Sequence, residues 1–218
     1  MTSLELSQAI IFVVMFVLIS GPVHECAHAY AAWRLGDGTA KLFGRVSLDP
    51  VRHFDPLGGT LLVASVILSG GHTGFGWAKP TPVNPYNLRG RFASTIVSVA
   101  GPLSNLALAA VFAVGFRIMW ANGGDITNTT VPNMITLICW IGIQLNVLLM
   151  LFNLIPIPPL DGSHVLLDLL EPRTANSVRV FFGQYGMLLL LPVIFLAGPL
   201  IRPLMNPIVS ALIGLPVV

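Results

Sequence analysis

The chain has 218 residues, of which 55% are hydrophobic and 9% charged, with a formal net charge of +2 and a mean hydropathy of +0.83. Soluble domains carry roughly a quarter charged residues, so this composition excludes a soluble globular protein, and the near-neutral charge points away from a nucleic-acid partner. The reading is an all-α polytopic membrane protein with the lipid bilayer as its solvent: one domain over 1–218, a core over 6–165 and C-terminal membrane helices over 178–216.

The first apolar segment runs from about Leu6 to Leu35, with no charged residue before Glu25, and is long enough for a hydrocarbon core of about 30 Å. It lacks a positively charged start, so it reads as a retained helix and not as a signal peptide. Gly21-Pro22 predicts a kink in it. Cys26 and Cys139 lie in apolar segments and read as small buried hydrophobes, not as a disulfide pair.

Near the end of this segment stands His24-Glu25-Cys26-Ala27-His28, an H-E-x-x-H pattern. Residues four apart share a helix face, so His24 and His28 can offer two imidazole nitrogens to one metal ion, with Glu25 beside them as general acid/base. Zinc suits that chemistry, with three protein ligands and one open position. Ionisable groups beside a membrane segment are costly, which favours a functional site over a chance pattern.

Gly36-Asp37-Gly38 stops the helix. Lys41 to Leu48 then reads as a short strand, followed by Asp-Pro turns at 49–50 and 55–56. The apolar piece Leu57 to Leu68 is short of the roughly twenty residues needed to span, so a re-entrant or hairpin element is expected. Gly70-Gly71 and the proline-stiffened Phe75 to Pro85 read as an extended loop bordering a groove. His53 and His72 fall in turn-rich loops, with solvated or loop-ordering roles.

Further apolar segments run over about Arg91 to Trp120, Val131 to Leu154, Val178 to Pro199 and Leu204 to Leu215. They lead to an expected bundle of about five to six transmembrane helices, with a short β or re-entrant element between the first and second. In the second spanning segment, the small residues of Ala100 to Asn105 permit close helix contact, and Asn105 can hydrogen-bond across the bundle. After Leu154, prolines at 156, 158 and 159 break the chain and leave Asp161 on irregular backbone ahead of a short amphipathic helix, Ser163 to Leu170.

Charge bias orients the bundle. Arg34, Lys41, Arg45, Arg52, Lys79, Arg89 and Arg91 all lie between the first and second long segments, and such residues collect in cytoplasmic loops. If Leu57 to Leu68 does not cross, Asp161 emerges on the same face as His24 and His28, which makes it the third ligand. Zinc with two neutral histidines, Asp161 and Glu25 sums to zero charge, tolerable in a low-dielectric bundle. Asp161 can also be read as the N-cap of the helix after it. His164 reads as a packing or outer-sphere neighbour.

With these residues placed, the chain resembles the site-2 protease family of intramembrane zinc metalloproteases. The resemblance rests on His24 to His28 and on Asn153-Leu-Ile-Pro-Ile-Pro-Pro-Leu-Asp-Gly162, with further likeness at Gly44 to Pro50, Phe75 to Pro80 and Ala100 to Asn105. It implies one Zn2+ per chain on His24, His28 and Asp161, Glu25 as general acid/base, and Asn153 positioning substrate or stabilising the oxyanion. It also implies a transmembrane protein substrate, cut near the cytoplasmic face by a multi-pass protein of a prokaryotic cell membrane. The likeness is to compact members without a PDZ or CBS domain. An unwound substrate could add to a strand edge at Lys41 to Leu48 or at Trp77 to Asn84. A zinc transporter or channel and a catalytically silent binding protein of the same fold are the competing readings. The clustering of polar residues near one face argues against a conducting path.

Overall fold

The computed structural model describes residues 2–69, 74–127 and 130–217; Gly70-Gly71 and His72 lie outside them. Among the described residues the regular structure is entirely helical. Helix α1 (Ser3–Met15) starts in a capping box, in which Glu5 N–H donates to Thr2 Oγ1 and Thr2 N–H to Glu5 Oε2. A π-helical turn, Phe16–Ser20, leads directly into α2 (Gly21–Arg34). A wider turn stands where the kink is expected. Pro22 has no N–H to give, and Gly21 N–H reaches back five residues to Phe16 O. A side chain at Gly21 would place its Cβ 2.9 Å from that carbonyl.

Helices α6 (Ala93–Ala121) and α7 (Val131–Asn153) form the centre of the bundle. Helix α7 is buried on two faces, each of four-residue period. Cys139, Ile143 and Val147 pack on Ala109, Ala113 and Phe116 of α6 and on Val209 and Ile213 of α9 (Pro172–Ile213), while Leu137, Ile141 and Leu145 meet Met15 of α1. Cys139 is thus a buried hydrophobe, as expected.

The expectation of five to six spanning helices is corrected. Among the described residues three helices are long and apolar enough to cross, namely Ser3–Arg34, Ala93–Ala121 and Asn133–Asn153, and a fourth is reached if Pro172–Gly186 and Leu188–Ile194, bent by 69°, count as one span. Gly186 and Pro192 stand at and beyond that bend, the residue types that break a helical ladder. Leu200–Ile213 is too short to span.

The strand expected over Lys41 to Leu48 is also corrected, since no strand occurs among the described residues. The segment forms α3 (Thr39–Leu42) and a turn in which Gly44 has φ 68°. Asp37 starts α3 by accepting from Thr39 N–H and Oγ1–H, and Arg45 turns inward to donate to Arg52 O and Lys79 O. A short α4 (Pro50–His53) follows, and His53 is buried with Nε2 on Ser47 O, which is the loop-ordering role.

Helix α5 (Pro56–Leu68) is the short apolar piece, begun by Asp55 accepting from Gly58 N–H. At about 1.5 Å per residue it is about 20 Å long, short of the bilayer core. The chain then returns alongside it. Phe75 N–H donates to Ser65 Oγ, a Cβ on Gly58 would lie 2.2 Å from Trp77 O, and Lys79 N–H donates to His53 O. Helix α5 and the extended stretch 75–79 thus lie side by side. The extended segment 74–84 is then fastened by Asp37, whose Oδ2 accepts from Asn84 N–H and whose Oδ1 accepts from Asn87 Nδ2. Burial works against the charged Asp37 carboxyl, but these hydrogen bonds, with those from Thr39, outweigh it and hold the group below the usual carboxylate range.

Candidate functional site

His24, Glu25 and His28 project from α2, just past the π turn. Helix α6 provides the floor beneath the two imidazoles. A Cβ on Gly101 would lie 2.3 Å from His28 Nε2 and 2.7 Å from His24 Cε1, so only glycine permits this approach. Both Nδ1 atoms are engaged by acceptors on α6, His28 Nδ1 with Val97 O at 2.7 Å and His24 Nδ1 with Asn105 Oδ1 at 2.6 Å. A carbonyl can only accept, so each Nδ1 carries the proton and each neutral ring leaves a bare electron pair on Nε2.

The Asn105 amide is itself oriented. Its Nδ2 donates to Asn146 Oδ1 at 2.8 Å, and Asn146 Nδ2 donates to Gly142 O at 2.8 Å. Both asparagines are 0% exposed, so a polar chain runs from α7 through α6 to His24. Asn105 bonds across the bundle as expected, and Asn146 is the partner that no motif indicated. An asparagine inside an apolar span was the signal for it.

The third element is the turn between α7 and α8 (Gly162–Leu169). Gly162 is required there, because a Cβ would meet Leu154 O at 2.2 Å. Asp161 occupies the N-cap position of α8, yet its side chain makes no cap hydrogen bond. It faces the histidines instead, with Oδ2 3.2 Å from His24 Nε2 and Oδ1 3.3 Å from His28 Nε2. Helix α8 is pinned in turn, since Asp168 Oδ2 accepts from Thr95 N–H and Oγ1–H at the start of α6.

The donor set fits zinc. The two Nε2 atoms are 3.0 Å apart, and with both ring protons on Nδ1 each turns a bare electron pair towards the other and towards Asp161. Asp161 Oδ2 is buried without a hydrogen-bond donor. Three bare electron pairs converging in this way repel one another unless a cation lies among them. Ligands about 2.0–2.1 Å from a tetrahedral centre stand about 3.3 Å from each other, close to the observed 3.0, 3.2 and 3.3 Å. Among the described residues these three form the one such cluster of His, Cys, Asp and Glu.

A cavity of about 570 Å³ opens beside the cluster. Glu25 lines it and is held by the extended segment, for Thr81 N–H donates to Glu25 Oε2 at 2.8 Å and Thr81 Oγ1 to Glu25 O at 2.9 Å. No motif pointed to Thr81. Asn153 lines the same cavity with one Nδ2 hydrogen on Leu149 O, which leaves a second for another acceptor. His164 is exposed and also borders the cavity.

The profile of Peptidase family M50 matches residues 117–197, which include the Asn153 to Gly162 motif. "Putative zinc metalloprotease YwhC" of Bacillus subtilis is 39% identical over 187 residues, covering 83% of this chain and 78% of that protein. The chain belongs to Peptidase family M50. "Putative zinc metalloprotease Rip2" of Mycobacterium tuberculosis is similar at 32% identity over 201 residues, covering 89% of this chain and 71% of that protein. No solved structure gives a significant match. M50 is the site-2 protease family anticipated from the motifs, and the chain is a zinc metallopeptidase in a helical membrane protein.

Within this M50 peptidase, Asn105→Leu is expected to weaken zinc binding by about 10–100-fold, the usual cost of losing the partner that orients a ligating histidine. Asn105→Asp keeps an acceptor for His24 Nδ1 and should recover much of the loss. Competition with a chromophoric chelator reads both values.

Proposed function

We propose that this M50 peptidase hydrolyses peptide bonds in transmembrane protein substrates near the cytoplasmic face of the membrane, as the proteolytic step of regulated intramembrane proteolysis. The observation that carries the reading is the convergence of His24, His28 and Asp161, from two distant parts of the chain, beside Glu25 at the edge of an apolar cavity. These three residues would hold one zinc ion per chain, which would supply the Lewis acidity that lowers the pKa of water and polarises the scissile carbonyl.

The residues divide the remaining work. Glu25, its Oε2 held by Thr81 N–H, keeps Oε1 free to take a proton from the attacking water and deliver it to the leaving amine. Asn153 donates its free Nδ2 hydrogen to the oxygen on which charge develops. The substrate must be extended to be cut, because a helical peptide bond is shielded by its neighbours. With Lys41 to Leu48 helical and turned, the extended Trp77 to Asn84 is the remaining edge for an unwound segment to lie against.

A cytoplasmic site follows if the seven basic residues between the first two long helices lie inside and α5 does not cross. The first and third spanning helices then end on one face, as the meeting of Asp161 with His24 requires. The whole of 1–218 acts as one intramembrane domain in this reading. A zinc conductor needs a succession of ligand sets across the bilayer, and the described residues hold a single set.

The experiment is metal removal in native membranes. Incubation with a zinc chelator should stop the appearance of shortened transmembrane proteins that depend on this chain, and added zinc should restore it. Cleavage that continues unchanged after zinc is stripped would refute the mechanism.

A further inference from the structure

A second cavity, of about 400 Å³, holds an unusual set of polar groups for an apolar bundle. Gln8 of α1, Gln144 of α7 and Arg202 of α9 all line it, against walls that include Phe12 and Met205. Cationic side chains among membrane helices are costly and mark functional positions. Among the described residues, no ion pair or side-chain hydrogen bond engages Arg202. The mechanism above makes no use of any of the three.

This cavity lies next to the catalytic one. Phe12 lines the second cavity and Phe16, one turn on, lines the first; Leu145 and Leu149 on α7 are related in the same way, and Gly74 and Phe75 are neighbours. Two helices and the extended segment therefore wall both spaces in succession.

Resting on the protease reading, we propose that the two cavities form one groove for the substrate's transmembrane segment. In it Arg202, with Gln8 and Gln144, binds an aspartate or glutamate side chain of that segment. A guanidinium is matched by a planar carboxylate, and amide N–H groups can complete its hydrogen bonds. A phospholipid phosphate shares the charge, but the groove leads to Glu25, which favours a peptide. Gln144 lies about 14 Å along α7 from Asn153, at about 1.5 Å per residue. The acidic residue therefore stands about nine residues from the scissile bond if the intervening segment is helical, and about four if it is extended.

The test uses the full chain in phosphatidylglycerol-containing nanodiscs and synthetic single-span Leu/Ala peptides. Each peptide carries Asp, Leu or Lys four to nine residues before its central bond. Binding is measured to the Glu25→Gln variant and cleavage with the parent enzyme. The Asp peptide should bind about tenfold more tightly than the Leu peptide. Arg202→Gln should erase the preference, and Arg202→Glu should transfer it to the Lys peptide. Equal binding of the three, no binding of any, or an Asp preference that survives Arg202→Gln overturns the proposal. So does loss of bound phosphatidylglycerol in Arg202→Gln with peptide preference unchanged, which would make the groove a lipid site. An Asp preference that follows Arg202 while no peptide is cut supports the groove and counts against the protease reading alone.

Discussion

Replacing Glu25 by glutamine should lower the cleavage rate by about 10²–10⁴-fold, the usual contribution of a positioned general acid/base, and leave zinc bound. The two outcomes separate because Glu25 lies outside the cluster of His24, His28 and Asp161. The amide has the shape of the carboxylate, and its oxygen can still accept from Thr81 N–H, so the extended segment stays fastened across the cavity. What it loses is an electron pair basic enough to take a proton from water at neutral pH. Metal content by atomic spectroscopy and substrate shortening on gels read the two halves independently. Cleavage at the parental rate would remove Glu25 from the mechanism, and loss of zinc would show that its role is structural.

Where the sequence was readable, it was readable for local or electrostatic reasons. The i, i+4 spacing of His24 and His28 sets their shared face once the segment is helical. The short length of Leu57 to Leu68, together with the placement of basic residues, determines which face Asp161 must reach. Those arguments anticipated the cluster now found with its ligand atoms within 4.8 Å of one another. They failed where tertiary contacts override local pattern. Lys41 to Leu48 has the look of a strand, but a strand needs a partner, and Asp37 and Arg45 fold the segment back on itself instead. Pro22 marks a break in the regular ladder, but the π turn that accommodates its missing N–H is not visible in the sequence. The helix count was too high because hydropathy does not register a 69° bend within one helical stretch. Of the Asn146–Asn105–His24 chain only the bonding of Asn105 across the bundle was legible, since its partners depend on the rotation of three helices relative to one another.

Asp161→Ala carries the other large effect. Zinc affinity should fall by more than about 100-fold, beyond the range seen when only an outer partner of a ligand is lost, and proteolysis should vanish with it. The cause is electrostatic as well as geometric. With the carboxylate gone, the two neutral imidazoles would have to hold a divalent ion in a low-dielectric cleft with one fewer compensating charge. The fold should be little affected, because the Asp161 side chain caps nothing and α8 is held independently by Asp168 on Thr95. The helical content and thermal unfolding of the variant, measured without zinc, should match those of the zinc-free parent. Zinc titration then isolates the ligand role. Parental affinity in Asp161→Ala would mean that the meeting of α2 with the turn after α7 serves packing alone, and the third ligand would have to be sought elsewhere around the cavity. His164 would be examined first, since it already borders that space.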